Sequence, residues 1–139
     1  MTESSLPFYV EKNITVRTYD IDALGHVSNI VYIRWLEDLR LTMLETHLPL
    51  EDLMAKNMSP ILLRTEIDYI KPITLFDRPV GRCYISAVRN IRLELTAEFV
   101  VDGTIAARAK QFGIFFDLVK RRPVRPPKEF REKYGECGG

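Results

Sequence analysis

The sequence has few of the residues that build metal centres and disulfide scaffolds. Its two cysteines are Cys83 and Cys137, and its two histidines are His26 and His47. Zinc sites and redox motifs need cysteine or histidine pairs at short spacing, and the sequence has no such pair. It also lacks a Gly-x-Ser-x-Gly motif, so a serine nucleophile of the α/β-hydrolase type is not indicated. We expect no metal site and no cofactor.

An excess of positive charge and a long hydrophobic run are missing as well. Lys and Arg total 20 and Asp and Glu total 19, which gives a net charge of +1, whereas nucleic-acid-binding domains usually carry a basic surface. The apolar runs are shorter than the ~20 residues of a membrane span, and no signal peptide is recognisable. We expect a cytoplasmic protein that neither binds nucleic acid nor spans a membrane.

The length and composition indicate one globular domain. The chain has 139 residues, of which 46% are hydrophobic and 28% are charged, values close to the average for globular proteins. No internal repeat or low-complexity linker divides it. We assign residues 1–139 to one domain, with a core over about 10–130 and loose termini that include residues 1–9.

Hydrophobic periodicity predicts one long helix followed by strands. Apolar residues recur at helical spacing over 29–47, with Pro49 ending the helix. Downstream the pattern has period two, most clearly over 91–101, and Asp102-Gly103 is typical of a hairpin turn. Strands are expected at 12–18, 60–70, 80–88, 91–101 and 105–118, and short helices at 50–56 and 127–134. A helix against five antiparallel strands is an α+β fold, and its open sheet edges favour a homo-oligomer.

The most informative segment is the loop 20–29, which leads into the long helix. It contains two carboxylates, Asp20 and Asp22, followed by Gly25, His26 and Asn29. The first N–H groups of a helix are unpaired and can stabilise an oxyanion. A carboxylate nearby can attack a carbonyl or activate a water that does so. The alternative is structural: an aspartate caps the loop, and His26 packs beneath it.

The loop and the helix after it resemble the hotdog-fold acyl-CoA thioesterases, in the 4-hydroxybenzoyl-CoA thioesterase branch. The resemblance covers about residues 10–130. It is carried by Val16-Arg17-x-x-Asp20-x-Asp22-x-x-Gly25-His26-Val27-x-Asn29-x-x-Tyr32, by Trp35-Leu36-Glu37 and Arg40, and by the later pieces Tyr69-x-Lys71-Pro72, Phe76-Asp77, Asp102-Gly103 and Asp117 to Pro126.

The resemblance implies a fold, a reaction and catalytic residues. A curved five-stranded antiparallel sheet wraps a long central helix, and the protein forms homodimers or dimers of dimers with the active site at the subunit interface. The substrate is an acyl-CoA, so CoA is part of the substrate and no cofactor is implied. Asp22 corresponds to the nucleophile or general base. The Asn29 backbone N–H corresponds to the group that polarises the thioester carbonyl, and His26 orients Asp22 or contacts the substrate.

The resemblance also implies binding residues around this centre. Gly25, Val27 and Tyr32 are expected near the substrate, with Tyr32 in the core or in the wall of an acyl pocket. Basic residues hold the CoA phosphates in the family, and the candidates here are Arg89, Lys120, Arg121 and Arg122. A solvated tail is the alternative for the C-terminal basic cluster.

Two other functions fit the same sequence. A non-catalytic acyl-CoA-binding or sensing module would keep the fold and lack a working carboxylate. A hotdog dehydratase would use His26 with Glu37, although the Pro-rich loop of that class is absent. Otherwise Glu37 is expected to be a buried partner of Arg40 or Arg17.

Overall fold

A computed structural model describes residues 5–136 as one antiparallel sheet of six strands packed against a long helix. The strand order is β1-β3-β4-β5-β2, and the short β6 pairs with β5. The elements are β1 (Val10–Asn13), α1 (Asn29–His47), α2 (Leu50–Ala55), β2 (Met58–Tyr69), β3 (Val80–Arg89), β4 (Arg92–Val101), β5 (Thr104–Asp117), β6 (Arg122–Val124) and α3 (Lys128–Glu136). The predicted α+β arrangement is confirmed, but the sheet has six strands and not the expected five, because the short β6 adds to β5.

Helix α1 forms the centre of the core, as its apolar spacing predicts. It begins at Asn29 and ends at His47, the bounds that the periodicity and Pro49 indicate. It packs against β1 and β3. The buried side chains of α1 lie on one face of the helix and meet the apolar face of the sheet, where Phe99 is fully buried: Val31, Tyr32, Trp35, Leu36, Leu39 and Met43.

Two tight turns connect the central strands. Asp102 and Gly103 join β4 to β5 with φ angles of 49° and 76°, the backbone that the Asp-Gly pair favours in a two-residue hairpin. Asn90 joins β3 to β4, also with a positive φ of 59°. Arg89 still belongs to β3, so the turn begins at Asn90.

Two expectations for the edges of the fold are wrong. The first strand covers Val10–Asn13 and not 12–18. Residues 5–9 are not loose throughout, since Phe8 is buried in the core. Pro123 lies within β6, a short strand in which a missing N–H is tolerated. Cys137, placed by the sequence in a Gly-rich tail, lies outside the described residues.

Strand β2 is the outer strand beside β5, and it carries a bulge. The pairing register shifts between Leu62 and Arg64, so Leu63 has no partner on β5. Beyond the bulge, Thr65, Ile67 and Tyr69 lie opposite the buried β5 residues Gln111, Ala109 and Ala107, which places them on the helix side of the sheet. The extra residue leaves Leu63 outside the alternation that Thr65, Ile67 and Tyr69 follow.

The domain has two chemically different ends. We call the end that holds the 20–29 loop and Tyr69 the loop end, and the end that holds Phe8, Phe115 and Phe130 the aromatic end. On β5, Ala107 lies at the loop end, where it pairs with Tyr69, and Phe115 lies at the aromatic end. The two residues are eight positions apart on the strand, a contour distance of about 27 Å.

Candidate active site

The loop before α1 folds into a small hairpin with Asp22 at its corner. The Asp22 N–H donates to the His26 carbonyl oxygen at 2.8 Å, and the Gly25 N–H donates to the Asp22 carbonyl oxygen at 3.0 Å. Gly25 has a φ of 78°, which a residue with a side chain rarely adopts. An isolated antiparallel bridge joins Ile21 to Val27, so the chain turns back before the helix begins.

The carboxylate of Asp22 has one occupied and one free oxygen. Its Oδ1 accepts the backbone N–H groups of Leu24 and His26 at 2.9 and 3.1 Å, which fixes the orientation of the carboxylate. Its Oδ2 accepts no hydrogen bond from residues 5–136, and the side chain is exposed. Capping and chemistry, the two roles that the sequence leaves open, are therefore compatible, because each uses a different oxygen.

The start of α1 supplies an unpaired donor at the same end of the domain. The Ser28 N–H donates to the Asp20 carbonyl oxygen at 2.9 Å, and the Val31 N–H donates to the Ser28 carbonyl oxygen. Ser28, the residue before the helix, makes no side-chain cap. Within the described chain the Asn29 N–H donates to no group, as expected for the first residue of a helix.

Asp20 has a structural role in this loop. It is buried, and its Oδ2 accepts the Arg17 N–H at 2.8 Å. Its own N–H donates to the Arg17 carbonyl oxygen at 2.9 Å. These bonds close the short 3-10 turn Thr18–Asp20, so Asp20 has the structural role that the sequence left open for an aspartate of this loop.

The remaining predicted residues at the loop end lie under or beside the turn. His26 is half-buried and bridges to Thr74, while Val27 is buried and its N–H donates to the Ile73 carbonyl oxygen at 2.8 Å. Tyr32 is a core residue, with its ring 5.3 Å from that of Trp35. Burial, aided by the nearby Tyr69, raises the pKa of Tyr32 to about 12.

Sequence reasoning missed two contributors to this end. The Tyr69 hydroxyl approaches the Asn29 carbonyl oxygen at 3.4 Å, and its ring lies 5.1 Å from that of Tyr32. A second turn lies beside the first, where the Asp77 carboxylate accepts the Thr74 N–H at 2.8 Å and Phe76 is exposed. Tyr69 and Phe76-Asp77 carried the family resemblance, but no local pattern placed them beside the 20–29 loop.

The predicted phosphate-binding arginines lie at the other end of the domain. Arg121 and Arg122 follow β5, where Asp117 pairs with Met58 at the start of β2. Arg89 ends β3, next to the aromatic end of β5. From Ala107 to Asp117, β5 extends about 33 Å, so one protomer does not bring these arginines to its own Asp22.

Glu37 is exposed, which contradicts its expected burial beside Arg40 or Arg17. The Arg40 guanidinium instead donates to Gln111 Oε1 at 2.8 Å, and Gln111 Nε2 donates to Thr65 at 3.0 Å. Burial lowers the pKa of Arg40. Glu37 lies eight residues beyond Asn29, about 12 Å along the helix, so it does not form a pair with His26 within one protomer.

The described residues hold neither a metal cluster nor a membrane helix. Residues 5–136 contain no group of three or more His, Cys, Asp or Glu side chains that could hold a metal ion. No helix in this part of the chain is long and apolar enough to cross a bilayer. An apolar cavity of about 240 Å³ lies beside α1 and β2, and a more polar one of about 340 Å³ lies beside α1 and β1.

Comparison with known proteins decides the family. The sequence profile of the Thioesterase-like superfamily matches residues 16–134. The chain belongs to this superfamily. It is 31% identical to the long-chain acyl-CoA thioesterase FadM of Escherichia coli K12 over 127 residues, 89% of this chain and 96% of FadM. The resemblance to hotdog-fold acyl-CoA thioesterases is thus confirmed, and with it the prediction that the protein is an enzyme.

Solved structures of this superfamily share the fold. A predicted thioesterase from Bacillus stearothermophilus superposes with a TM-score of 0.82 at 24% identity, covering 93% of this chain and 96% of that one. A thioesterase from Thermus thermophilus, complexed with coenzyme A and Zn, gives a TM-score of 0.79 at 25% identity, covering 93% and 94%. The predicted hotdog fold, a curved antiparallel sheet around a long helix, is confirmed.

Proposed function

We propose that this thioesterase hydrolyses an acyl-CoA to the free acid and CoA at the loop end. Asp22 is the nucleophile or general base, and the Asn29 N–H polarises the thioester carbonyl. The observation that carries the proposal is the divided use of the Asp22 carboxylate, one oxygen held by the turn and the other free. CoA as the leaving group rests on the names of FadM and of the Thermus thermophilus complex.

The chemistry needs only these two groups and water. The Asn29 N–H, at the positive end of the α1 dipole, favours negative charge on the carbonyl oxygen as the carbon is attacked. Attack by Asp22 expels the CoA thiolate and leaves an anhydride that water hydrolyses. Attack by a water that has given its proton to Asp22 leads directly to the acid. Thiols have a pKa near 8.5, so the thiolate leaves without a strong general acid.

The exposed edge of β2 favours a homodimer. Ile61, Leu62 and Leu63 are exposed along this strand, and an unpaired apolar strand edge is a template for pairing with another chain. Antiparallel pairing of β2 with its twofold copy sets the loop end of one protomer beside the aromatic end of the other. Arg121 and Arg122 of the second protomer, with its Arg89, then lie on the side where CoA leaves. A dimer of dimers and a cytoplasmic location stay predictions.

Thiol release from a panel of acyl-CoAs, with wild type beside Asp22→Asn, tests the proposal. The substitution keeps the shape of the side chain and removes its charge. We expect kcat to fall by about 100-fold or more, which corresponds to about 3 kcal/mol of activation free energy.

The matched control is Asp117→Asn. Asp117 Oδ1 also accepts two backbone N–H groups, from Val119 and Lys120, both at 2.9 Å, so it caps a turn as Asp22 does, but at the aromatic end. Asp117→Asn is expected to leave kcat unchanged. Equal losses in the two variants would make Asp22 a turn cap only. Binding of acyl-CoA by the wild type without thiol release would make the protein a sensing module.

A further inference from the structure

We propose that the acyl chain of the substrate lies in the groove between α1 and β2, and that the apolar cavity at the end of this groove selects long aliphatic chains. Phe8 and Phe130 close the cavity and limit the chain length. The inference rests on the proposed hydrolysis of acyl-CoA and names the class of acyl group. Four observations support it.

The first observation is an exposed apolar stripe along α1. Ile30, Ile33 and Leu41 are 63%, 43% and 42% exposed, and their spacing places them on one side of the helix, with Glu37 between them. The buried face of α1 already fills the core. The stripe therefore begins at the helix start, where the thioester carbonyl is proposed to bind, and runs toward the aromatic end.

The second observation is that β2 follows this stripe from end to end. At the loop end the Tyr69 hydroxyl approaches the Asn29 carbonyl oxygen at 3.4 Å. Further along, Ile61 and Leu62 of β2 line the same cavity as Leu41 of α1. The helix and the strand thus run in opposite directions and approach each other at both levels, and the proposed groove between them leads from the helix start to the cavity.

The third observation is the character of the cavity. Glu37 and Arg40, the polar lining residues of α1, are those nearest the helix start. Every α1 residue that lines the cavity beyond them is apolar: Leu41, Met43 and Leu44. The volume is about 240 Å³, whereas an apolar cavity of about 150 Å³ binds benzene. The space holds more than a single ring. The polar lining residues from other elements are Ser59 and Gln111, and both side chains are already hydrogen-bonded within the protein.

The fourth observation is the distance from the helix start. Glu37, where the cavity begins on α1, is eight residues from Asn29, about 12 Å along the axis. An extended alkyl chain advances about 1.25 Å per bond, given bonds of about 1.5 Å and near-tetrahedral angles. About ten carbons are therefore needed to reach the cavity. Short acyl groups and a single aromatic ring end before it, and chains of roughly 12 to 18 carbons enter it.

The far end of the cavity is closed by aromatic rings from the N-terminal and C-terminal parts of the described polypeptide. Phe8 stacks on Phe130 with centroids 4.7 Å apart, and Phe115 meets Phe130 edge-on at 5.4 Å. All three are buried. The helix that carries Phe130 is tied to the rest of the domain by the ion pair of Lys56 with Glu129 at 2.9 Å. This aromatic wall is the stop that limits how long a chain fits.

The test is kcat/KM for saturated acyl-CoAs from four to eighteen carbons. We expect low values up to about eight carbons and an optimum above about twelve. Leu44→Phe narrows the cavity and should lower kcat/KM for the long substrates by about tenfold, while the values for short ones stay within about twofold. Phe130→Leu, a milder change than alanine, should move the optimum to longer chains. Met54→Phe, which enlarges an exposed residue that does not line the cavity, is the matched control.

A binding measurement separates this inference from the proposed reaction. S-alkyl-CoA thioethers cannot be hydrolysed, and burial of each methylene strengthens binding by about fourfold at most. We expect their affinity for the wild type to rise with length beyond about ten carbons, and Leu44→Phe to abolish the rise. If thioethers follow this pattern but no acyl-CoA releases thiol, the cavity is supported and the reaction is not. If thiol is released but Leu44→Phe and Met54→Phe have the same chain-length profile as the wild type, the inference is overturned and the reaction stands.

Discussion

The two ends of the domain are built by different kinds of interaction. At the loop end, backbone hydrogen bonds and one carboxylate hold an exposed turn, with Asp22 Oδ1 accepting two N–H groups. At the aromatic end, Phe8, Phe115 and Phe130 pack together and are almost completely buried. Directional bonds fix the position of a reactive atom, whereas apolar contacts fix a volume and contribute most of the stability.

This contrast assigns different tasks to the ends. The loop end has the geometry for chemistry, and little apolar surface is buried by its turns. The aromatic end closes a cavity and anchors both termini of the described chain, and it does so with phenylalanine side chains, which carry no reactive group. Substitutions at the loop end should therefore affect turnover more than stability, and those at the aromatic end should affect stability and chain-length preference more than turnover.

The largest expected effect is loss of stability at the aromatic end. Phe115 is 2% exposed, and Phe115→Ala should lower the free energy of unfolding by about 3–5 kcal/mol through lost burial and the cavity left behind. Phe76→Ala is the matched change at the loop end, where Phe76 is 90% exposed. The free energy of unfolding of this variant should stay within about 0.5 kcal/mol of the wild-type value. Urea titration measures both. A similar loss in the two variants would remove the contrast.

The next effect separates turn geometry from stability. Gly25 and Gly103 have φ angles of 78° and 76°, and an added Cβ meets no atom within 4 Å at either position. Alanine at each should cost about 1 kcal/mol of stability, since only the left-handed backbone penalises it. Gly25→Ala should also lower kcat by about tenfold, because that turn orients Asp22, while Gly103→Ala should leave kcat unchanged.

Thiol release and thermal unfolding of the two glycine variants check this prediction. A loss of kcat in both would mean that turnover follows overall stability and not the orientation of the Asp22 turn. An unchanged kcat in Gly25→Ala would mean that the turn tolerates the change without moving the carboxylate.

The sequence predicts features that depend on neighbours along the chain. The bounds of α1 follow from its apolar spacing and Pro49, and the β4–β5 turn follows from Asp102-Gly103. The segment with Asp22 is found in the same way, because the turn and the helix start are contiguous. The hydrogen bonds that leave one carboxylate oxygen free are closed within five residues.

Features that depend on distant contacts are missed. Phe8 packs on Phe130 across almost the whole chain, and no local pattern links them. The bulge at Leu63 reverses the alternation of β2 only because β5 pairs around it. The exposed Glu37 is another case: it was expected to pair with Arg40, but Arg40 turns to the buried Gln111 of β5. The cavity beside β2 is a product of such contacts and has no signature of its own.

The smallest expected effect at neutral pH is that of the tyrosine hydroxyls on the free energy of unfolding. The aromatic end is stacked from phenylalanines, whereas Tyr32 and Tyr69 carry hydroxyls at the loop end, and burial raises the pKa of Tyr32 from its ordinary 10 to about 12. The folded state thus holds this proton more tightly than the unfolded chain, which releases it from pH 10 upward. The contribution to stability is complete below pH 10 and is lost as the pH rises through about 12.

Tyr32→Phe should flatten the fall in unfolding free energy over this range, measured by urea titration at each pH. The buried Cys83, whose pKa burial also raises to about 12, is present in both proteins, so the difference between their slopes belongs to Tyr32. Identical slopes would place the loss of stability in other groups, among them Tyr69, whose pKa burial also raises.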